Sequence, residues 1–142
     1  MKRFVSPLAF ALFLVLTQTG CDNYAEGPSM SLRTRESRVI NKWKAEYVVE
    51  NGKDRTYNYD SISWEYLDDG NIEFSTILMD STYIQEGLWD IVDDGATLRV
   101  LYTDPAIWPD RTYFEIIRLK EKELWLKDDR DSVVIEYRLI PA

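Results

Sequence analysis

From residue 42 onward the sequence keeps a period of two. Trp43, Ala45, Tyr47 and Val49 alternate with Lys44, Glu46 and Val48; Ile62, Trp64 and Tyr66 alternate with Ser63 and Glu65; Ile72, Phe74, Thr76 and Leu78 alternate with Glu73, Ser75 and Ile77. The pattern continues through Gly87, Trp89 and Ile91, then Leu98, Val100 and Tyr102, and near the end through Val133, Ile135, Tyr137 and Leu139. Successive side chains of a strand point to opposite faces, so this alternation, rich in β-branched and aromatic residues, is a strand signature. It predicts strands at 42–50, 60–67, 71–79, 83–92, 96–103, 111–119, 124–128 and 132–140. No amphipathic helix long enough for a parallel crossover lies between them, so the sheet is expected to be antiparallel and the chain all-β. Ser31 to Ile40, just before the first strand, can form one or two helical turns with Leu32, Val39 and Ile40 on one side.

The connections sort by length. Asp68-Asp69-Gly70-Asn71, Asp93-Asp94-Gly95 and Lys120-Glu121-Lys122-Glu123 are short turn signals. Residues 51–59, the stretch around Asp80-Ser81-Thr82, and Asp104 to Asp110 read as longer loops, with Asp129-Arg130-Asp131 a short exception. In an up-and-down meander, odd and even loops emerge at opposite ends. Loops 2, 4 and 6 would thus close one end tightly, and loops 1, 3 and 5 would surround the other. That arrangement points to an eight-stranded antiparallel up-and-down barrel. A two-sheet β-sandwich is the alternative that alternation alone leaves open.

Charge and composition narrow the function. Residues 21–142 carry all 25 acidic groups and 15 of the 17 basic ones, a net charge of −10. A nucleic-acid partner needs a basic face, so none is expected. The chain has no histidine, which removes the commonest general base and zinc ligand, and its single cysteine, Cys21, cannot form an internal disulfide. The acids of the clear strands, Glu46, Glu65, Glu73, Asp90 and Glu136, fall opposite the aromatic face. Glu115 alone is ambiguous, because its strand is apolar on both faces. A carboxylate pair aimed at a glycoside is not expected, nor is any other catalytic set. The acidic turns at 68–71 and 128–131 lack a full calcium loop, so neither a metal nor a cofactor is expected.

The N-terminus carries an address. Met1-Lys2-Arg3 is a positive start, Phe4 to Leu16 is a nearly unbroken apolar run of 13 residues, and Thr17-Gln18-Thr19-Gly20-Cys21 follows. The run is shorter than the roughly 20 residues a membrane helix needs, and the pattern is that of a secretory signal peptide. Cys21 directly after Gly20 resembles the bacterial lipobox. The resemblance implies a signal peptide over 1–20, cleavage before Cys21 and acylation of its thiol and new amine. One acyl chain holds a membrane only reversibly, whereas several anchor it durably. Residues 21–31 then read as a lipidated tether and 32–142 as the barrel domain, in the cell envelope at the outer membrane or cell surface. Arg33, Arg35, Arg38, Lys42 and Lys44 beside that anchor either touch anionic head groups or form a solvated face.

Residues from about 38 to 140 are similar to the small bacterial lipocalin-like lipoproteins. The resemblance rests on Trp43 in the opening strand, Asn51-Gly52, a D-G hairpin, Gly87-Leu88-Trp89, Ile116 and Leu119, and a final run from Glu123 to Lys127. It implies a barrel and a small apolar ligand. If the barrel closes, its first and last strands are neighbours and Trp43 comes near Arg138. The guanidinium is then either stacked on the indole, as the resemblance implies, or simply solvated.

The aromatic load suggests the site. Tyr57, Tyr59, Met79, Tyr83, Ile107 and Trp108 belong to the three long loops and should rim one mouth, with Trp64, Phe74, Trp89, Val100 and Tyr102 forming the wall below. Such a lining suits a small apolar or amphipathic ligand. Trp125, out of phase with Leu124 and Leu126, belongs on the outer wall. Bulky inner residues also fit a second reading, a non-catalytic envelope protein with a filled barrel that docks onto a protein partner.

Overall fold

The computed structural model describes residues 33–103, 111–130 and 132–142. A short helix, α1 (Arg35–Val39), leads into β1 (Asn41–Glu50), β2 (Lys53–Asp54), a 3-10 turn (Thr56–Tyr59), β3 (Ile62–Tyr66), β4 (Asn71–Leu78), β5 (Ser81–Val92), β6 (Thr97–Tyr102), β7 (Arg111–Lys120), β8 (Glu123–Arg130) and β9 (Val133–Pro141). β2 only extends β1 as a flap. The other strands pair antiparallel in chain order, and β9 pairs back onto β1, which closes an eight-stranded up-and-down barrel. The sandwich alternative is excluded, because its first and last strands would lie in different sheets.

Two bulges adjust the sequence's simple alternation. The β1–β9 register shifts between Ala45 and Tyr47, so Trp43 is buried, Tyr47 turns outward and Val48 turns inward. This corrects the expectation that Tyr47 and Val49 share the face of Trp43. The β7–β8 register shifts between Ile116 and Arg118. That extra residue lets Phe114, Ile116 and Leu119 all point inward and leaves Glu115 exposed. A bulge places two residues opposite one and flips the phase beyond it. It explains how a strand apolar on both faces still buries one of them.

The expected end asymmetry is only partly met. The third connection is not a long loop: Met79 and Asp80, with φ of 48° and 64°, make a two-residue hairpin between Leu78 and Ser81. Sequence reading carried the third strand on to Met79 and began the fourth only at Tyr83, which counted Ser81-Thr82 as loop. The open end therefore has two long connections, after β1 and after β6.

α1 covers the opposite end. Thr34 caps it by accepting from the Ser37 N–H at 3.1 Å. Val39 is fully buried, and its carbonyl accepts from Trp43 Nε1 at 2.8 Å. Arg38 donates to the Leu119 carbonyl at 3.0 Å, and Arg35 donates to the Asp94 carbonyl. A side chain at position 95 would collide with the Arg35 guanidinium, so Gly95 makes room for this lid. Leu32, expected on the same helix face, lies outside the described residues.

Trp43 and Arg138 do lie on paired strands, but they do not meet. Arg138 is opposite Tyr47, while Trp43 is opposite Pro141 and points inward. The guanidinium instead lies 4.5 Å from the Trp125 ring and 5.4 Å from the Tyr47 ring, and Arg118 stacks on the same Trp125 at 4.5 Å. Register aligns Tyr47, Arg138, Trp125 and Arg118 as one row across β1, β9, β8 and β7. The row straddles the closure from outside. Trp125→Ala should lower unfolding free energy by about 1–2 kcal/mol, the sum of two partly exposed cation–π contacts. Urea unfolding of the variant checks this; a stability equal to wild type would show that the row does not fasten the closure.

Candidate functional site

The inward faces supply a continuous aromatic lining. Toward the open end, Tyr59 from the 3-10 turn stacks on Trp64 at 6.3 Å and meets Tyr137 edge-on at 5.6 Å. Trp64 touches Phe74 at 5.9 Å and Tyr137 at 6.2 Å, Phe74 touches Tyr102 at 6.4 Å, and Phe114 touches Tyr137 at 5.9 Å. These edge-to-face contacts suit the ring quadrupoles and pack the described part of the lumen closely. The space left between Trp64, Tyr66, Tyr102, Phe114, Leu126, Tyr137 and Leu139 is about 10 Å³. That is close to one water molecule's worth of room.

Among the residues expected to form the site, Trp64, Phe74 and Tyr102 thus converge with Tyr59 inside the barrel, and Val100 is fully buried in its wall. Trp89 stands lower, edge-on to Tyr66 at 5.5 Å, with Nε1 donating to the Leu67 carbonyl at 3.0 Å. Tyr57, Met79 and Tyr83 are 69%, 101% and 55% exposed. Ile107, Trp108 and Cys21 lie outside the described residues.

Sequence reading missed the polar groups of the lumen. Gln85, Thr112 and Asp128 are all buried. Asp128 continues the inward phase of Leu124 and Leu126, a signal visible in the sequence once β8 is carried on to Arg130. Its carboxylate accepts Arg130 Nε at 2.7 Å and Nη2 at 2.5 Å, a bidentate pair that satisfies the buried charge. Burial pushes the phenols of Tyr66, Tyr102 and Tyr137 well above their ordinary range, and Tyr59 and the Asp128 charge add to the effect at Tyr137. These hydroxyls stay protonated at neutral pH, so they can hydrogen-bond but cannot serve as bases.

A larger hollow, about 250 Å³, lies among Asp69, Gly70, Leu88, Trp89, Asp90, Arg99 and Leu101. It is shallow, and Asp90 and Arg99 pair across it, Nε to Oδ1 at 2.8 Å.

This architecture has solved counterparts. A lipocalin-like protein from Bacteroides uniformis superposes with a TM-score of 0.62 over 74% of this chain and 99% of its own, at 15% sequence identity. The fold is lipocalin-like. A looser likeness, TM-score 0.45 at 12% identity, links 80% of the chain to 76% of a bovine odorant-binding protein in complex with a selenium-containing odorant. No family model matches the chain, and no curated protein matches it.

Proposed function

We propose that this lipocalin-like chain is a lipid-anchored envelope protein that acts by docking to other macromolecules, without catalysis. The observation that carries the reading is the tight packing of the described lumen residues: the space among Trp64, Tyr66, Tyr102, Phe114, Leu126, Tyr137 and Leu139 is about 10 Å³, too small for an organic ligand. Anchoring at Cys21 is the lipobox reading of the N-terminus. Asp128 is the single buried carboxylate among the described residues and is paired with Arg130, so no second buried acid stands beside it there as a glycosidase pair would need. The docking element is the outer part of the β4–β5 hairpin. Among the described residues, β3 pairs with β4 as far as Thr76, with one further bond from the Ile77 N–H to the Ser61 carbonyl at 3.2 Å, and β6 pairs with β5 from Gly87 on. There Ile77, Leu78, Met79, Tyr83 and Ile84 are each more than half exposed. Contiguous exposed apolar side chains mark contact sites.

A second reading, a small apolar or amphipathic ligand inside the barrel, is favoured by the lining of Trp64, Phe74, Tyr102 and Phe114. It requires Tyr59 to swing off Trp64 and Tyr137. Titration with apolar fluorophores and native mass spectrometry after exposure to a lipid extract separate the two. The docking reading expects no saturable change in tryptophan fluorescence and no stoichiometric added mass. A one-to-one adduct that quenches the buried tryptophans would transfer the assignment to the ligand reading.

A further inference from the structure

The tip of the β4–β5 hairpin is apolar on both of its faces. Register pairs Thr76 with Tyr83, Ile77 with Thr82 and Leu78 with Ser81. Side chains alternate along each strand, so Leu78 and Tyr83 share the face of the buried Phe74 and Gln85, while Ile77 and Ile84 share the other. Each face thus carries one diagonal pair of large apolar side chains. All four are between 55% and 61% exposed, and Met79 at the turn is fully exposed.

An antiparallel strand pair at a protein surface shows one apolar face to its core and one polar face to water. Apolar side chains on both faces are the pattern of strands covered from both sides. A flat partner surface would cover one diagonal pair and leave the other in water. A cleft covers both.

The turn adds the chemistry. Met79 and Asp80 have φ of 48° and 64°. Left-handed backbone is uncommon for methionine, and Asn-Gly makes a two-residue hairpin turn without that strain. The hairpin therefore gives up stability to present Met79 and Asp80 at its point. Asp80 is also the only charge from Ser75 to Gln85. A carboxylate taken out of water needs a cation beside it. The interior of a bilayer supplies none, and its anionic surface repels a chain of net charge −8. A second hairpin packed tip to tip brings another carboxylate instead.

We propose that the β4–β5 tip inserts as a finger into a cleft of a partner protein, with apolar walls and a lysine or arginine at the floor. This rests on the reading of the hairpin as the docking element and names the shape and chemistry of what receives it. Ile77 and Ile84 meet one wall, Leu78 and Tyr83 meet the other, and Asp80 pairs with the cation beneath Met79.

The test is made on the full chain in the cells that produce it, with a photo-crosslinking amino acid in place of Ile84 or, separately, of Leu78. Both positions should trap the same polypeptide, and the trapped peptides should flank a lysine or arginine. The same replacement at Leu88, 52% exposed on β5 but away from the tip, should not trap it. Asp80→Lys should cut trapping at both positions at least tenfold, the scale of breaking a buried charge pair at an interface, and Asp80→Glu should retain it. Trapping from one face only, trapping of lipid or of a second copy, equal trapping from Leu88, or full trapping with Asp80→Lys overturns the cleft while leaving the hairpin as the docking element. No trapping from either face removes the docking reading as well.

Discussion

Trp43→Ala should lower the unfolding free energy by about 3–5 kcal/mol, the range for deleting a fully buried indole. Trp43 has no exposed surface, and its neighbours in register are Trp64 on β3 and Pro141 on β9. It therefore packs on both sides of the strand that closes the barrel. Truncation would empty the base of the core and leave the buried Val39 carbonyl without the Nε1 donor that now reaches it at 2.8 Å. An unmet buried acceptor adds about 1–3 kcal/mol to the lost packing. Domains of this size have only about 5–15 kcal/mol in total, so the variant should lie near the limit of folding. Trp43→Phe keeps most of the volume and loses the donor, and should fall between the two. Chemical denaturation of the pair measures the split. A Trp43→Ala protein as stable as wild type would mean that α1 and the barrel base are not coupled through this ring.

The contrast with Trp125 shows what was legible in the sequence. Period-two alternation placed both tryptophans correctly, one inside and one outside, because the inner face of a small barrel must be apolar along almost every strand. Strand count, antiparallel order and closure follow from the same constraint together with short turns. Phase changes are what alternation cannot reveal. The bulges at Glu46 and Ile117 each insert one residue, and nothing in Lys44-Ala45-Glu46-Tyr47 or Ile116-Ile117-Arg118 announces it, since residues on both sides of the shift are compatible with either face. Register across the closure is equally silent. Arg138 was expected at Trp43 because both lie near strand ends, but the actual pairing places it opposite Tyr47, where two outward rings are available. Met79–Asp80 was hidden for a different reason: left-handed backbone at a methionine is uncommon, so the turn lacks a glycine signal. The lining aromatics were readable as residues. Whether they enclose a cavity depends on ring orientations such as Tyr59 on Trp64, which no pattern encodes.

Cys21→Ser should move the protein from the membrane fraction to the soluble envelope fraction or leave it as an unprocessed precursor. The expectation rests on Gly20-Cys21 at the end of a 13-residue apolar run, in a chain with no other thiol. Electrostatics offers little substitute for the anchor. The net charge is −8, and the arginines closest to the tether are engaged with the barrel: Arg33 lies 3.8 Å from Glu121, while Arg35 and Arg38 hold carbonyls at the closed end. Lys42 lies 3.4 Å from Glu65. A basic cluster adds roughly 1 kcal/mol per free cation at an anionic surface, and most of these cations already have partners. Acyl chains gain about 0.8 kcal/mol per buried CH₂, so the lipid should dominate and its loss should be close to all-or-none. Cell fractionation with mass analysis of the N-terminal peptide reads both halves of the claim. Wild-type membrane attachment and processing in Cys21→Ser would refute lipidation at this residue. A soluble, folded Cys21→Ser protein would place the anchor in the lipid alone.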